Sequence, residues 1–178
     1  SSRRDAFCGK LALMASLRQM RKKYTAFMPH VVAPLSDAFA AQLKTFLQVC
    51  AVVKRLKHAR IGCLGARTTA FKSVRYDELA LQKHGVDVET IDMSAVYARV
   101  RALGDGDPSV ATWSEKLTSL ADYRPAPEGK LTVIAKLAAA IEGVADEYAL
   151  DALAIRCWSE MQAELGIAPC AVLGAFNQ

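Results

Sequence analysis

Apolar residues recur at helical spacing through the first third of the chain, on both sides of a loop that contains Pro29 and Pro34. From about Asp5 to Lys23 they return every three or four positions, which predicts a helix. Ser36 is suited to cap a second long helix. The apolar positions of that helix are Phe39, Leu43, Phe46, Leu47, Cys50 and Val53. Both helices carry few charges before their ends, so we expect their apolar faces to pack on a sheet or on another domain.

Beyond residue 58, short apolar runs alternate with helical patterns. Three runs have the length and composition of buried strands, at residues 60–64, 86–91 and 150–157. Helices are predicted at residues 76–84, from Asp92 through Leu103, at 129–147 and up to Gly166, and residues 169–176 suit a helix or a strand. The alternation predicts an α/β protein, with a Rossmann-like parallel sheet flanked by helices and an all-helical N-terminal segment. We expect residues 1–58 to form the helical lead-in segment and residues 59–178 the α/β domain.

Length and composition narrow the class of protein. The chain has 178 residues, of which 52% are hydrophobic, which suits a folded domain and argues against disorder. No apolar stretch approaches the roughly 18 residues of a membrane span and no signal peptide is evident, so we expect a cytoplasmic protein without a membrane partner. The start at Ser1 rather than Met suggests a processed product or part of a longer polypeptide. Five scattered cysteines in apolar settings predict buried free thiols.

The positive charge does not indicate a nucleic-acid partner. The net charge of +5 comes largely from two clusters, at residues 18–23 and 54–60. Both clusters fall at the ends of predicted helices, where positive charge complements the helix dipole. No aromatic residues alternate with these basic residues, as a platform for stacked bases would require. We therefore expect no nucleic acid to bind.

The third predicted strand runs directly into Arg156, Trp158 and Glu160. In open α/β sheets, ligands bind outside the carboxyl ends of the strands, so this segment is the first candidate for chemistry. A glutamate in the first turn of a helix is also favoured by the helix dipole alone, and its position leaves both interpretations open. Arg67 follows the first strand, where it could donate hydrogen bonds to a sugar hydroxyl.

A glycine turn after the first strand leaves a nucleotide-binding alternative open. Gly62 and Gly65 suggest a phosphate loop, but the third glycine of the dinucleotide fingerprint and the Gly-Lys-Ser/Thr of a P-loop are both missing. Asp92, at the end of the second strand, could mimic the acid that binds a ribose in dinucleotide folds. The three histidines are isolated from other metal ligands, and no serine or cysteine carries a nucleophile-elbow motif.

Several segments resemble one known family when taken in order. They are residues 60–71 (RIGCLGARTTAF), 76–79 (YDEL), 86–92 (VDVETID), 154–160 (AIRCWSE) and 169–174 (PCAVLG). In this order they resemble the middle domain of L-fucose/L-arabinose isomerase-like proteins. Residues 4–9 (RDAFCG) are similar to the segment that leads into that domain.

The resemblance implies part of an aldose–ketose isomerase that acts on a free sugar, such as L-fucose or L-arabinose, through an enediol. In that family two carboxylates and a histidine hold a divalent metal, usually Mn²⁺. Glu160 matches the first acidic metal ligand and acid/base residue. By position, Arg67, Arg156 and Trp158 would bind the sugar.

The resemblance also sets an expectation about completeness. The second carboxylate is expected beyond Gln178, and the histidine in a further domain. We therefore expect the isolated chain to be inactive and to work with the rest of its parent polypeptide, as a homo-oligomer.

A second class of function shares the predicted layout. A non-catalytic sugar-binding module of the periplasmic-binding type is also doubly wound, and it predicts sugar affinity that does not depend on metal. The dinucleotide-binding alternative predicts instead that enlarging Gly65 abolishes binding.

Overall fold

The computed structural model describes residues 6–178, and the chain divides into two compact units, residues 1–55 and 56–178. Helix α1 (Ala6–Gln19) and most of helix α2 (Asp37–Leu56) belong to the first unit. Asp5, where the sequence pattern places the start of α1, lies outside the described residues. The predicted cap of α2 is confirmed, because the Ser36 hydroxyl accepts a hydrogen bond from the backbone N–H of Phe39 at 3.3 Å.

The two N-terminal helices bury none of their described residues. The apolar positions of α2 stay open, with Phe39 at 38%, Leu43 at 45% and Leu47 at 56% exposure. Their expected packing on a sheet or on another domain therefore stays a prediction. The loop before α2 is held to α1 by Lys10, whose ammonium group donates to the carbonyl oxygen of His30 at 2.8 Å.

The second unit is an α/β fold, as predicted. Its strands are β1 (Ala59–Leu64), β2 (Val86–Ile91) and β3 (Ala152–Ile155), which form a parallel sheet in the order β2-β1-β3. The helices are α3 (Glu78–Lys83), α4 (Met93–Ala102), α5 (Pro108–Leu120), α6 (Lys130–Glu147), α7 (Glu160–Leu165) and α8 (Cys170–Phe176). The segment from Pro169, for which helix and strand were both open, is a helix.

The core of this unit lies on one face of the sheet. Leu64 and Ile91 are register partners on β1 and β2, and both are buried against α4, α5 and α6. Thr90 and Ala154, on the opposite face, are exposed. Strand β1 is central. The chain therefore moves towards one edge of the sheet between β1 and β2, and back towards the other edge between β2 and β3. Right-handed crossovers then place α3 on one face and α4 to α6 on the other.

Helix α5 was not predicted from the sequence, although the chain carries the signals for it. Asp107 caps this helix, since its carboxylate accepts from the backbone N–H of Ser109 at 2.9 Å, and Pro108 stands in the first turn. Val110, Trp113 and Leu117 then recur at helical spacing and are at most 3% exposed. The glycines at positions 104 and 106 are typical of a loop, and they hide the fact that a helix begins directly after Asp107.

The expectation of buried thiols is wrong. All five cysteines are free, but three of them are exposed, and Cys63 and Cys157 are only half-buried. Cys63 points to the sheet face opposite the core, which explains its partial exposure because β-strand side chains alternate between faces. No helix among residues 6–178 is both long and apolar enough to cross a membrane.

Candidate functional site

Gly65 brings the end of β1 close to the neighbouring segments at the carboxyl edge of the sheet. Its φ of +82° lies in the left-handed region, and its N–H donates to the carbonyl oxygen of Ile91 at 2.8 Å. A Cβ here would lie 2.6 Å from the Met93 Cγ and 3.0 Å from the Arg156 Cβ. The turn is therefore built for close packing between β1, the start of α4 and the segment after β3.

Arg156 and Glu160 meet at this edge. The backbone N–H of Arg156 donates to the carbonyl oxygen of Leu64 at 2.8 Å, which ties the segment after β3 to β1. The Arg156 Nη1 lies 3.5 Å from Glu160 Oε2, and the two side chains are 32% and 39% exposed. The Nε of the same guanidinium donates to the carbonyl oxygen of Trp158 at 3.1 Å. The guanidinium is thus oriented by the backbone and faces the carboxylate from one side.

A cavity of about 460 Å³ opens beside Glu160. Its lining residues are Gly65, Ala66, Thr90, Ile91, Asp92, Met93, Arg156 and Glu160. Residues from the ends of all three strands therefore meet there, as the parallel sheet requires of a site at its carboxyl edge.

Asp92 lines the same cavity and also caps α4. Its carboxylate accepts a hydrogen bond from the backbone N–H of Ser94 at 3.0 Å. That hydrogen bond is the main cause of a pKa below the ordinary value of the Asp92 carboxyl. The capping bond gives Asp92 a structural role that needs no ribose.

Acid is expected to weaken the start of α4 through Asp92. A lowered folded-state pKa means that the stabilisation is complete above the unfolded value of 3.8 and is lost as the pH falls through the lower folded value. Asp92→Asn keeps a capping oxygen without this titration. The difference in melting temperature between wild type and Asp92→Asn should therefore be smaller at pH 3 than at pH 6. An equal difference at both pH values would contradict this account of the capping bond.

A second cavity, of about 700 Å³, shares Arg156 with the first, together with Gly65, Ala66 and Thr90. Its lining includes three arginines (Arg67, Arg75 and Arg156), one carboxylate (Glu78) and apolar residues of the loop after β1 such as Phe71 and Val74. Arg67 Nη1 also donates to the carbonyl oxygens of Thr68 and Thr69, at 3.2 and 3.3 Å. The predicted site residue Arg67 thus lies at the edge of the sheet, with part of its guanidinium engaged by its own loop.

Trp158 stands on the rim of this region. Its ring lies 5.0 Å from that of Phe71, centroid to centroid, at an angle of 50°, and the residue is 52% exposed. The Thr68 hydroxyl donates to the Trp158 carbonyl oxygen at 3.5 Å. An exposed indole braced by a second aromatic ring offers a flat apolar surface of the kind on which a sugar face can lie.

The structure brings the four predicted site residues to one edge of the sheet, with Arg156 and Glu160 in direct contact. Arg75 and Tyr76 line the second cavity and were not predicted. A hydrogen bond with Cys63 is the main cause that raises the pKa of Tyr76 to about 12. The path of the loop places these residues, and the sequence pattern carries no signal for it.

The described residues do not form a complete metal site. Among residues 6–178, no group of three or more His, Cys, Asp and Glu side chains is placed to hold an ion. Glu160 offers a hard oxygen donor of the kind that Mn²⁺ prefers, and Asp92 lines the same cavity. The described residues thus place two carboxylates, Glu160 and Asp92, at this cavity, without a complete set of metal ligands.

Comparison with known proteins gives two matches. Residues 1–57 match the family described as fucose/sulfoquinovose isomerase, N-terminal domain. Over 148 residues the chain is 28% identical to a protein of Alkalicoccus urumqiensis named sulfoquinovose isomerase. The match covers 82% of this chain and 32% of that relative, so the chain spans about a third of the relative's length. The boundary predicted at residue 58 stays a prediction. Both matches are to fucose isomerase-like proteins, so they confirm the resemblance found in the sequence motifs.

Proposed function

We propose that this chain is part of a metal-dependent aldose–ketose isomerase that acts on a free sugar through an enediol. The observation that carries the proposal is the position of Glu160. In a fucose isomerase-like chain, this carboxylate faces a cavity at the carboxyl edge of the sheet, with Arg156 3.5 Å away. The cytoplasmic location and the homo-oligomeric state stay predictions.

Isomerisation requires a proton to move between C1 and C2 of the open-chain sugar. A carboxylate that is partly exposed to a cavity can accept the proton from one carbon and return it to the other. Arg156 lies beside Glu160, with its Nη1 3.5 Å from the carboxylate, so a positive charge stands next to the group proposed to move the proton. Trp158, on the rim, would hold the apolar face of the sugar.

The family resemblance implies Mn²⁺ as the cofactor. When bound, such an ion supplies positive charge close to the oxygens that become negative as the enediol forms. Within this chain Glu160 is the residue proposed to contribute a ligand, and the other ligands would come from outside the described residues.

A sulfonated sugar is a second candidate substrate, beside L-fucose and L-arabinose. Three arginines, Arg67, Arg75 and Arg156, and one carboxylate, Glu78, line the larger cavity, so positive charge predominates there. Guanidinium groups pair well with anionic oxygens, whereas a neutral sugar needs no such concentration of positive charge. The relative named sulfoquinovose isomerase makes an anionic sugar a natural one to assay.

The proposal is tested by assaying the full-length protein that contains this chain. L-Fucose, L-arabinose and sulfoquinovose are each incubated with the protein, with added Mn²⁺ and after treatment with EDTA, and ketose formation is followed. We expect turnover of at least one sugar, which EDTA abolishes and Mn²⁺ restores. Sugar binding that persists in EDTA, without turnover of any of the three, would favour the non-catalytic binding module instead.

A further inference from the structure

The hydroxyl group of Tyr97 is buried without a hydrogen-bond partner. Tyr97 lies on α4 and is 3% exposed, and its oxygen is the one buried side-chain polar atom among residues 6–178 for which no partner is found. Buried polar groups are nearly always paired in folded proteins, so an unpaired one needs an explanation.

The contacts between α4 and α7 place Tyr97 between two glutamates. Met93, Tyr97 and Arg101 lie four residues apart and share one face of α4, and Glu160 and Glu164 share one face of α7. Met93 lines the same cavity as Glu160, while Arg101 Nη2 lies 2.6 Å from Glu164 Oε2. One end of the α4 face is therefore beside Glu160 and the other end beside Glu164, with Tyr97 in the middle.

Burial and the two nearby carboxylates both favour the protonated phenol of Tyr97. Burial, followed by the negative charges of Glu160 and Glu164, raises the pKa of Tyr97 to about 12. At neutral pH the group is therefore a hydrogen-bond donor that stands near two carboxylates.

The contact that now holds Glu160 is loose. The distance of 3.5 Å to Arg156 exceeds the range of about 2.7–2.9 Å for a strong charged hydrogen bond, and both side chains are partly exposed. Arg156 lines both cavities, so an anionic or hydroxyl-rich ligand in the larger one competes with Glu160 for the same guanidinium.

We infer that Tyr97 is a positioning residue for Glu160. When a ligand draws Arg156 away, the Glu160 carboxylate turns towards α4 and accepts a hydrogen bond from the Tyr97 hydroxyl. The bond fixes the carboxylate in one orientation and pairs the buried hydroxyl. Its importance for turnover rests on the proposed isomerase function, whereas the contact itself does not.

The inference is tested in the full-length protein by a double-mutant cycle on stability, without any sugar. Tyr97→Phe alone is expected to change the unfolding equilibrium constant less than about twofold, because it removes an unpaired hydroxyl. In an Arg156→Ala background the same substitution should raise the unfolding constant about tenfold, because a charged hydrogen bond is then lost. The matched control is Tyr148→Phe, since Tyr148 packs against the same core from the end of α6. Its effect should not depend on Arg156.

A crystal structure of the Arg156→Ala protein gives the direct observation. The expected distance from the Tyr97 hydroxyl to a Glu160 oxygen is about 2.7 Å. An unpaired hydroxyl in that structure, or an equal effect of Tyr97→Phe in both backgrounds, would overturn the inference. Neither measurement uses turnover. If the protein has no isomerase activity, the proposed function is wrong, but the stability cycle still decides whether Tyr97 can bind Glu160. In an active enzyme, Tyr97→Phe should lower kcat about tenfold and leave KM within about twofold.

Discussion

Replacing Glu160 by glutamine in the full-length protein is expected to slow aldose-to-ketose conversion by about a thousandfold. Glutamine keeps the size and most of the hydrogen-bonding shape of the side chain, but it cannot accept the proton that leaves the sugar carbon. Positioned acid/base groups contribute factors of about 10² to 10⁴ to a rate, and the amide is also a poorer ligand for a hard cation. Ketose formation at saturating sugar and Mn²⁺ measures the loss directly.

A second glutamate supplies the control for this variant. Glu147 also pairs with an arginine, Arg99, and is about half exposed, but it lies at the end of α6 and lines neither cavity. Glu147→Gln should retain activity within about twofold, since exposed ion pairs contribute little. Both variants should melt close to the wild-type temperature. If Glu160→Gln stays as active as Glu147→Gln, Glu160 is not the acid/base residue, and the proposed site at this edge is wrong.

The order of strands and helices was predictable because short apolar runs and helical periodicity are local signals. Residues 86–91 were predicted as a strand, and β2 has those bounds. The alternation also predicted a parallel sheet, and a parallel sheet places the ends of its strands together. For this reason the sequence alone predicts that Arg67, from the end of β1, and Glu160, after β3, belong to one site.

Other features depend on tertiary packing and left no local signal. Arg75 reaches the second cavity because the loop after β1 folds back over the sheet edge, and loop paths are not encoded in periodicity. In the sequence, Tyr97 has the spacing of an ordinary core residue of an amphipathic helix. Only the neighbouring face of α7 makes its hydroxyl unusual. The thiols were wrongly predicted as buried because apolar neighbours along the chain do not reveal which face of a helix or strand packs on the core. The exposed Cys8, Cys50 and Cys170 lie on helices, and Cys63 lies on the face of β1 opposite the core.

Gly85→Ala is expected to destabilise the unit of residues 56–178 by about 3 kcal/mol, the largest effect on stability among the substitutions considered. Gly85 has a φ of +83°, which costs an alanine about 1 kcal/mol or more. A Cβ at this position would also lie 2.0 Å from the carbonyl oxygen of Lys57, a backbone atom that cannot rotate away. Relief requires the segments that enter β1 and β2 to move apart, which strains the pairing of Ala59 with Val86.

Urea unfolding followed by tryptophan fluorescence reports on the unit of residues 56–178, because both tryptophans, Trp113 and Trp158, lie within it. Gly104→Ala is the matched control, since a Cβ at Gly104 meets nothing within 4 Å and its φ lies outside the left-handed region. We expect that control to stay within about 0.5 kcal/mol of wild type.

Equal unfolding midpoints for the two variants would show that the chain at Gly85 does not pass as close to Lys57 as the structure has it. The register between β1 and β2, which pairs Leu64 with Ile91 at the other end of these strands, would then need revision. A large loss for Gly85→Ala alone would support that register, and with it the placement of the strand ends that form the site around Glu160.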